Sequence, residues 1–352
     1  MSSAEDRPLR QDDLPGPESN PRLGLTGFVS ETPAAALAPL GPEERAALER
    51  AVSLLAGRRL AVLTGAGLST DSGIPDYRGP TSVPRNPMTY QQFVGDEVLR
   101  RRYWARNHVG WRHLRRADPN AGHTAVARLE QRGLLSGLIT QNVDKLHSAA
   151  GSTRVIDLHG TFDRVVCLQC SSTFPRSRIA EILEGLNPGY LERESDAGDV
   201  APDADADVDD TGDFVMAPCP VCGGMLKPDF VYFGENVPKD RVAEAYALVD
   251  GAEGLLVAGS SLTVMSGLRF VRHAFKAGKP VVIINRGWTR GGRIRLAEDR
   301  GGRLGGPHLS RRRIAGPPGL TRAACSRKQV VTERFEYRLL FRPSPGRPTV
   351  YP

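Results

Sequence analysis

No apolar run in the 352 residues approaches 18, which excludes a helical membrane span. The first 40 residues lack the basic-then-apolar order of a secretory signal. Glu5, Asp6, Asp12, Asp13 and Glu18 in that stretch argue against an acid-poor transit peptide, so a cytoplasmic location is the expectation. No GxGxxG with an acid about 20 residues further on is present, which disfavours a hydride-transferring dehydrogenase. The acidic run 192–213 lacks the glycine and terminal-glutamate spacing of an EF-hand loop, which disfavours calcium. Cysteine is scarce, with five in the chain. Four of them form two CxxC pairs, Cys167–Cys170 and Cys219–Cys222, and Cys325 stands alone with no expected role.

Apolar residues make up 40% and charged residues 25%, an ordinary balance for a folded chain. The net charge of +7 invites a nucleic-acid partner, but it is localised. Residues 286–352 hold 16 basic against 4 acidic side chains, and the body before them is mildly acidic. Nucleic acid is therefore disfavoured for the body, and a membrane partner is not expected.

Short apolar strands alternate with helical stretches. Strands are expected at 60–63, 134–140, 155–158, 255–258 and 280–284. Helices are expected from Gly41-Pro42 to Gly57, from Asp118 to Arg132 and over 266–277. Each strand ends in small or polar residues. The pattern predicts an α/β fold with a Rossmann-like doubly wound parallel sheet, whose ligands bind beyond the carboxyl ends of the strands. Residues 1–40 read as a disordered leader. The Rossmann-like domain is expected in two pieces, 41–160 and 228–290, with 80–115 forming a helical part of a smaller domain. The inserted module spans 161–227, its segment 192–213 reads as a disordered acidic loop, and 291–352 is an atypical basic tail.

The strand ends carry the chemistry. Gly65-Ala66-Gly67 follows the first strand, where free backbone N–H groups would favour a phosphate. Asp76, Tyr77 and Arg78 bring a carboxylate, an aromatic face and a guanidinium into one loop. Gln141, Asn142 and Asp144 flank Val143 at the second strand end, a set suited to ribose hydroxyls and a carboxamide. His159 ends the third strand, and with an ordinary pKa near 6.5 it is a candidate general base. Four thiolates from two CxxC pairs match a structural zinc site with a closed tetrahedral shell.

Together these stretches resemble the sirtuin family. The resemblance rests on Gly65–Ser69, Ser72–Gly79, Thr140–Asp144, Leu158-His159-Gly160, the four cysteines, Gly259-Ser260-Ser261-Leu262 and Asn285-Arg286-Gly287. It covers roughly residues 43–290. Arg102–Asn107 and Val109-Gly110-Trp111 look most like the branch that holds the mitochondrial lipoamidase and ADP-ribosyltransferase type.

The resemblance implies an NAD-dependent protein-lysine deacylase. It would consume NAD as a co-substrate, release nicotinamide and form O-acyl-ADP-ribose, with acylated-lysine proteins or peptides as partners and one structural Zn²⁺. Gly65, Ala66, Gly67, Asp76, Tyr77 and Arg78 would hold the diphosphate side of NAD. Gln141, Asn142, Val143 and Asp144 would line the nicotinamide and ribose pocket. Gly259, Ser260, Ser261, Asn285, Arg286 and Gly287 would meet the adenosine half, and His159 would be the base. Phe233, Gly234 and Glu235 would pair with the substrate peptide as an added strand. Tyr103 and Arg106 have the Tyr-x-x-Arg spacing that grips an acidic acyl chain in the succinyl-removing members. Mono-ADP-ribosyl transfer from the same pocket is the alternative, and an NAD-sensing or nucleic-acid module without turnover is a third reading. Past Gly287 the family pattern is lost. The composition there resembles a GC-rich gene read out of frame, and a basic tail is the rival reading.

Overall fold

A computed structural model describes residues 41–78, 82, 86–194, 200–208, 210–285 and 289–290. The expected leader 1–40, Arg286, Gly287, Cys325 and the tail 291–352 lie outside the described residues. The chain divides into Met1–Leu40 and Gly41–Pro352, and all that follows concerns the second unit.

Helix α1 (Pro42–Leu55) opens on proline, whose missing N–H is one that no helix satisfies at that position. It leads to β1 (Leu60–Thr64), in which every residue is buried. After the site loop come α2 (Tyr90–Gly95), α3 (Glu97–Leu114), α4 (Ala121–Gln131), β2 (Leu135–Thr140), α5 (Leu146–Ala149) and β3 (Val155–Asp157). The chain then leaves the first sheet for β4 (Gly160–Cys167), β5 (Thr173–Pro175), α6 (Arg176–Leu186), α7 (Tyr190–Arg193) and β6 (Leu226–Phe230). It returns through α8 (Lys239–Asp250), β7 (Gly254–Ala258), α9 (Met265–Lys276) and β8 (Val281–Ile284).

The first sheet has the order β3-β2-β1-β7-β8, with every neighbouring pair parallel. β1 and β7 are buried throughout because helices cover both sheet faces, which is why they read as unbroken apolar runs. Chain order reverses between β1 and β7, and that switch point is where a doubly wound sheet opens a crevice. The second sheet, β5-β4-β6, is antiparallel and carries the cysteines at its end.

The smaller lobe holds its own apolar cluster, with Tyr103, Trp104, Trp111, Ile179, Leu183 and Phe230 among its members. Arg176 is only 1% exposed there, its guanidinium held 5.5 Å from the Trp104 ring and 4.8 Å from the Trp111 ring. Burial in this sandwich lowers its pKa to about 9.

The acidic segment differs from expectation. Ala201, Ala204, Ala206 and Val208 are buried at 0–3% exposure, and an antiparallel bridge joins Val200 to Ala206. The reading of this stretch as a disordered loop is therefore corrected for 200–208. Its alanine methyls alternate with aspartates, one set buried and the other able to find partners. Gly110 in the middle of α3 makes room for it: a Cβ there would lie 2.2 Å from the Ala204 carbonyl oxygen. A helix accepts the cost of an internal glycine when another backbone must come this close.

Three imidazoles, His108, His123 and His147, are buried at 2% exposure or less. Burial lowers the pKa of His108 to about 3, helped by Arg176 and Arg112, and that of His123 to about 4. Burial, then His123, holds His147 well below 6.5. The unfolded chain therefore binds more protons than the folded one between pH 4 and 6.5, and stability falls as pH falls through that window. Lowering the pH from 7 to 5.5 should cost about 1.3 kcal/mol per imidazole, or about 4 kcal/mol for the three. Urea midpoints across this range measure it, and an unchanged midpoint contradicts the assignment.

Candidate active site and metal centre

At the switch point the ends of β1 and β7 touch. A Cβ on Gly65 would lie 2.9 Å from the Gly259 carbonyl oxygen, and one on Gly259 would lie 2.2 Å from the Leu68 nitrogen. Gly259 also has φ +64°, a conformation side chains disfavour. These glycines are thus required first by the contact of two loops. The expected free N–H groups are largely spent within the chain: Gly65 donates to Ala258, Gly67 to Gly259, Leu68 to Gly65 and Ser69 to Ala66. The turn contributes shape and close backbone approach rather than a nest of unused donors.

Behind it lies a buried polar network. Asn142 donates from Nδ2 to the Gly65 oxygen at 3.1 Å and to Ser69 Oγ at 2.9 Å. Ser69 Oγ donates to Asp144 Oδ2 at 2.6 Å, and Leu146 N–H donates to Asp144 Oδ1 at 3.0 Å. Burial pushes the Asp144 pKa up, against the pull of these donors. Thr64, Thr140 and His147 continue the network under β1.

His159 follows β3. The Gln141 main-chain oxygen lies 2.9 Å from Nδ1 and can only accept, so in the neutral ring Nδ1 carries the hydrogen and Nε2 the lone pair. Ser266 Oγ, at the start of α9, donates to Nε2 at 2.8 Å. Burial brings the His159 pKa down to about 4, opposed by the Gln141 carbonyl and assisted by Arg241 and Arg269. The ring is neutral at pH 7. Gln141 spends its side-chain amide on Ser260 Oγ at 2.8 Å and the Thr64 oxygen at 3.1 Å, tying together the ends of β1, β2 and β7.

One cavity of about 390 Å³ runs over these groups. Gly65, Ala66, Gly67, Asp76, Tyr77, Arg78, Gln141, Asn142, Val143, Asp144, His159, Gly259, Ser260, Ser261 and Asn285 all line it, as do Phe233, Gly234 and Glu235. Donors, carboxylates, an imidazole and apolar walls in a single cleft suit a dinucleotide together with a second ligand. Sequence reasoning passed over Ser266, Ile74, Phe230, Tyr232, Pro202 and Asp203, which line the same cavity. Ser266 had no signal, since its partner lies 107 residues away.

Two expected substrate groups sit differently. Tyr103 is 1% exposed in a ring cluster with Phe93 and Tyr232, and it does not line the cavity. Arg106 is also absent from the lining, because Nε pairs with Asp205 Oδ1 at 2.6 Å and Asp207 Oδ1 lies 3.6 Å from its NH2 nitrogen. Neither member of the expected pair lines the cavity in this structure. The expected docking strand is already partly engaged: Tyr90 N–H donates to the Phe233 oxygen at 2.9 Å, and Glu235 accepts from Lys227 Nζ at 3.0 Å.

The four cysteines converge away from the cavity, with all four Sγ atoms within 4.8 Å of one another. Cys167 and Cys222 sulfurs are 3.6 Å apart and Cys170 and Cys219 sulfurs 3.8 Å, against an edge of about 3.8 Å for a tetrahedron with zinc–sulfur bonds of about 2.3 Å. Main-chain N–H groups of Gln169 and Cys170 point at Cys167 Sγ, and that of Val221 points at Cys219 Sγ, the arrangement thiolates need. The donor set fits one structural zinc ion with no open position.

Comparison with known proteins agrees with this geometry. The model of the Sir2 family matches residues 65–266. NAD-dependent protein deacetylase 1 of Mycobacterium avium is 60% identical over 260 residues, covering 73% of this chain and 92% of the relative. NAD-dependent protein deacetylase 1 of Streptomyces coelicolor is 57% identical over 270 residues, covering 76% and 88%. A solved complex of Sir2 with a p53 peptide and NAD+ superposes with a TM-score of 0.54 at 31% identity, covering 70% of this chain and 90% of that one. A Sir2 bound to acetylated peptide gives 0.54 at 29% identity, with the same coverage.

Proposed function

The chain belongs to the Sir2 family, and from that premise we propose that it is an NAD-dependent deacetylase of protein lysines that releases nicotinamide and passes the acyl group to ADP-ribose. Acylated-lysine peptides are the second ligand in this reading. The observation that carries it is His159, a neutral imidazole that lines the same cavity as Gly65, Asn142, Asp144 and Ser260, with Nδ1 held by Gln141 and Nε2 accepting from Ser266.

The chain's own groups divide the labour. Gly65, Ala66, Gly67 and Arg78 hold the diphosphate side, and Asn142 and Asp144 hold the nicotinamide and ribose end. Gly259, Ser260, Ser261 and Asn285 meet the adenosine half. Arg286 and Gly287 lie outside the described residues. Bound NAD supplies a sugar carbon whose nicotinamide can leave. Gln141 fixes the His159 tautomer, and Ser266 keeps Nε2 hydrogen-bonded until a substrate hydroxyl takes its place. Nε2 then accepts the proton of that hydroxyl, so the ring turns from neutral to cationic in the reaction. A pKa near 4 in the unliganded protein ensures that the ring starts neutral.

The test is nicotinamide release from NAD, measured with and without an acetyl-lysine peptide. Release that depends on the peptide and matches acetyl loss supports this reading. Label from NAD left on a protein side chain, with no acetyl loss, supports ADP-ribosyl transfer instead.

A further inference from the structure

Segment 200–208 lies against α3 beside the cavity. Asn107 Nδ2 donates to the Asp203 oxygen at 3.3 Å, and Ala206 N–H donates to the Arg106 oxygen at 3.4 Å. Its backbone fits into the notch that Gly110 leaves. Two consequences follow for charge. Arg106, 12% exposed, is neutralised by Asp205, while Pro202 and Asp203 take a place on the cavity wall that Arg106 lacks. A chain built to grip a carboxylate would present the guanidinium to the cavity, and here a carboxylate stands there instead.

We propose that segment 200–208 is the acyl-selectivity element of this site. It withdraws Arg106 from the cavity and sets Asp203 on the wall, so that the enzyme accepts lysines bearing uncharged acyl groups and rejects acyl chains that end in a carboxylate. The proposal rests on the deacylase reading above for the identity of the second ligand. The Asp203 carboxylate also bonds the Tyr77 side chain, and burial first, then the charges of Asp203 and Asp205, raise the Tyr77 pKa well above 10, so that phenol stays a neutral donor. Two carboxylates a few ångströms apart at the edge of a protein repel enough to lower affinity by about 100-fold.

Binding, rather than turnover, separates this proposal from the reading it rests on. Fluorescence anisotropy is measured with peptides identical except for acetyl, butyryl or succinyl on the lysine. Acetyl and butyryl peptides should bind about 100-fold more tightly than the succinyl peptide. Asp203→Asn should narrow the ratio at least about tenfold, and Arg106→Ala should leave it within about twofold, whatever either does to overall affinity. Equal affinity of the acetyl and succinyl peptides, including no detectable binding of either, overturns the proposal. So does a selective loss of succinyl binding in Arg106→Ala. A protein that discriminates as expected yet releases no nicotinamide keeps this inference and loses the enzymatic one.

Discussion

Replacement of His159 by alanine is expected to slow acyl removal by about 100- to 10,000-fold, the usual contribution of a positioned general base. Among the described residues the ring has no competitor for the role, because the other buried imidazoles lie elsewhere. His123 and His147 sit behind β1, 4.8 Å from each other, and His108 is in the smaller lobe against Phe214; none of the three lines the cavity. The fold should survive. His159 belongs to none of the apolar clusters, and its partners Gln141 O and Ser266 Oγ are left facing a cavity that water can enter. The measurement is kcat at saturating NAD and peptide, with thermal unfolding by circular dichroism as the companion. Retention of most of the activity would remove His159 from the role of base.

Removal of zinc is expected to have the largest effect on stability. Cys167 and Cys219 are 1% and 3% exposed and belong to the same apolar cluster as Val165, Phe214 and Leu226. Without the ion, four thiols within 4.8 Å of one another must either protonate in the interior or separate, and β4 and β6 part with them. Structural zinc contributes about 10–16 kcal/mol in small sites, as much as the whole net stability of a typical domain, about 5–15 kcal/mol. Cys219→Ser, or a strong chelator, should therefore abolish cooperative unfolding of the smaller lobe. Activity should go with it, although none of the four zinc-site cysteines lines the cavity. Elemental analysis should find one zinc per native chain. A Cys219→Ser protein with native melting and full metal content would contradict the assignment.

Much of this was readable from residues alone, and the reasons differ by element. β1 and β7 announce themselves because strands covered on both faces need apolar side chains at every position. The cysteines are legible because a tetrahedral thiolate site constrains spacing within each pair. His159 is legible by its place after a strand, where a parallel sheet gathers its ligands. Segment 200–208 is not, since Asp-Ala alternation has too little apolar content to mark a buried piece. The notch at Gly110 and the partner at Arg106 help to make that burial possible, and both lie about 100 residues away. Arg176 sandwiched by two tryptophans carries no sequence signature either. The glycines at 65 and 259 were legible as tight turns, but not as one contact, because the crossing of two loops is a property of topology.

The central claim is that separate strand ends converge on one dinucleotide with an imidazole facing its sugar. A crystal structure with bound NAD and an acetyl-lysine peptide tests it most directly. The account predicts His159 Nε2 within about 3.2 Å of a ribose hydroxyl, with Ser266 Oγ displaced from that nitrogen and Nδ1 still held by Gln141. An imidazole turned from the ribose, or NAD bound outside the crevice between β1 and β7, would contradict it.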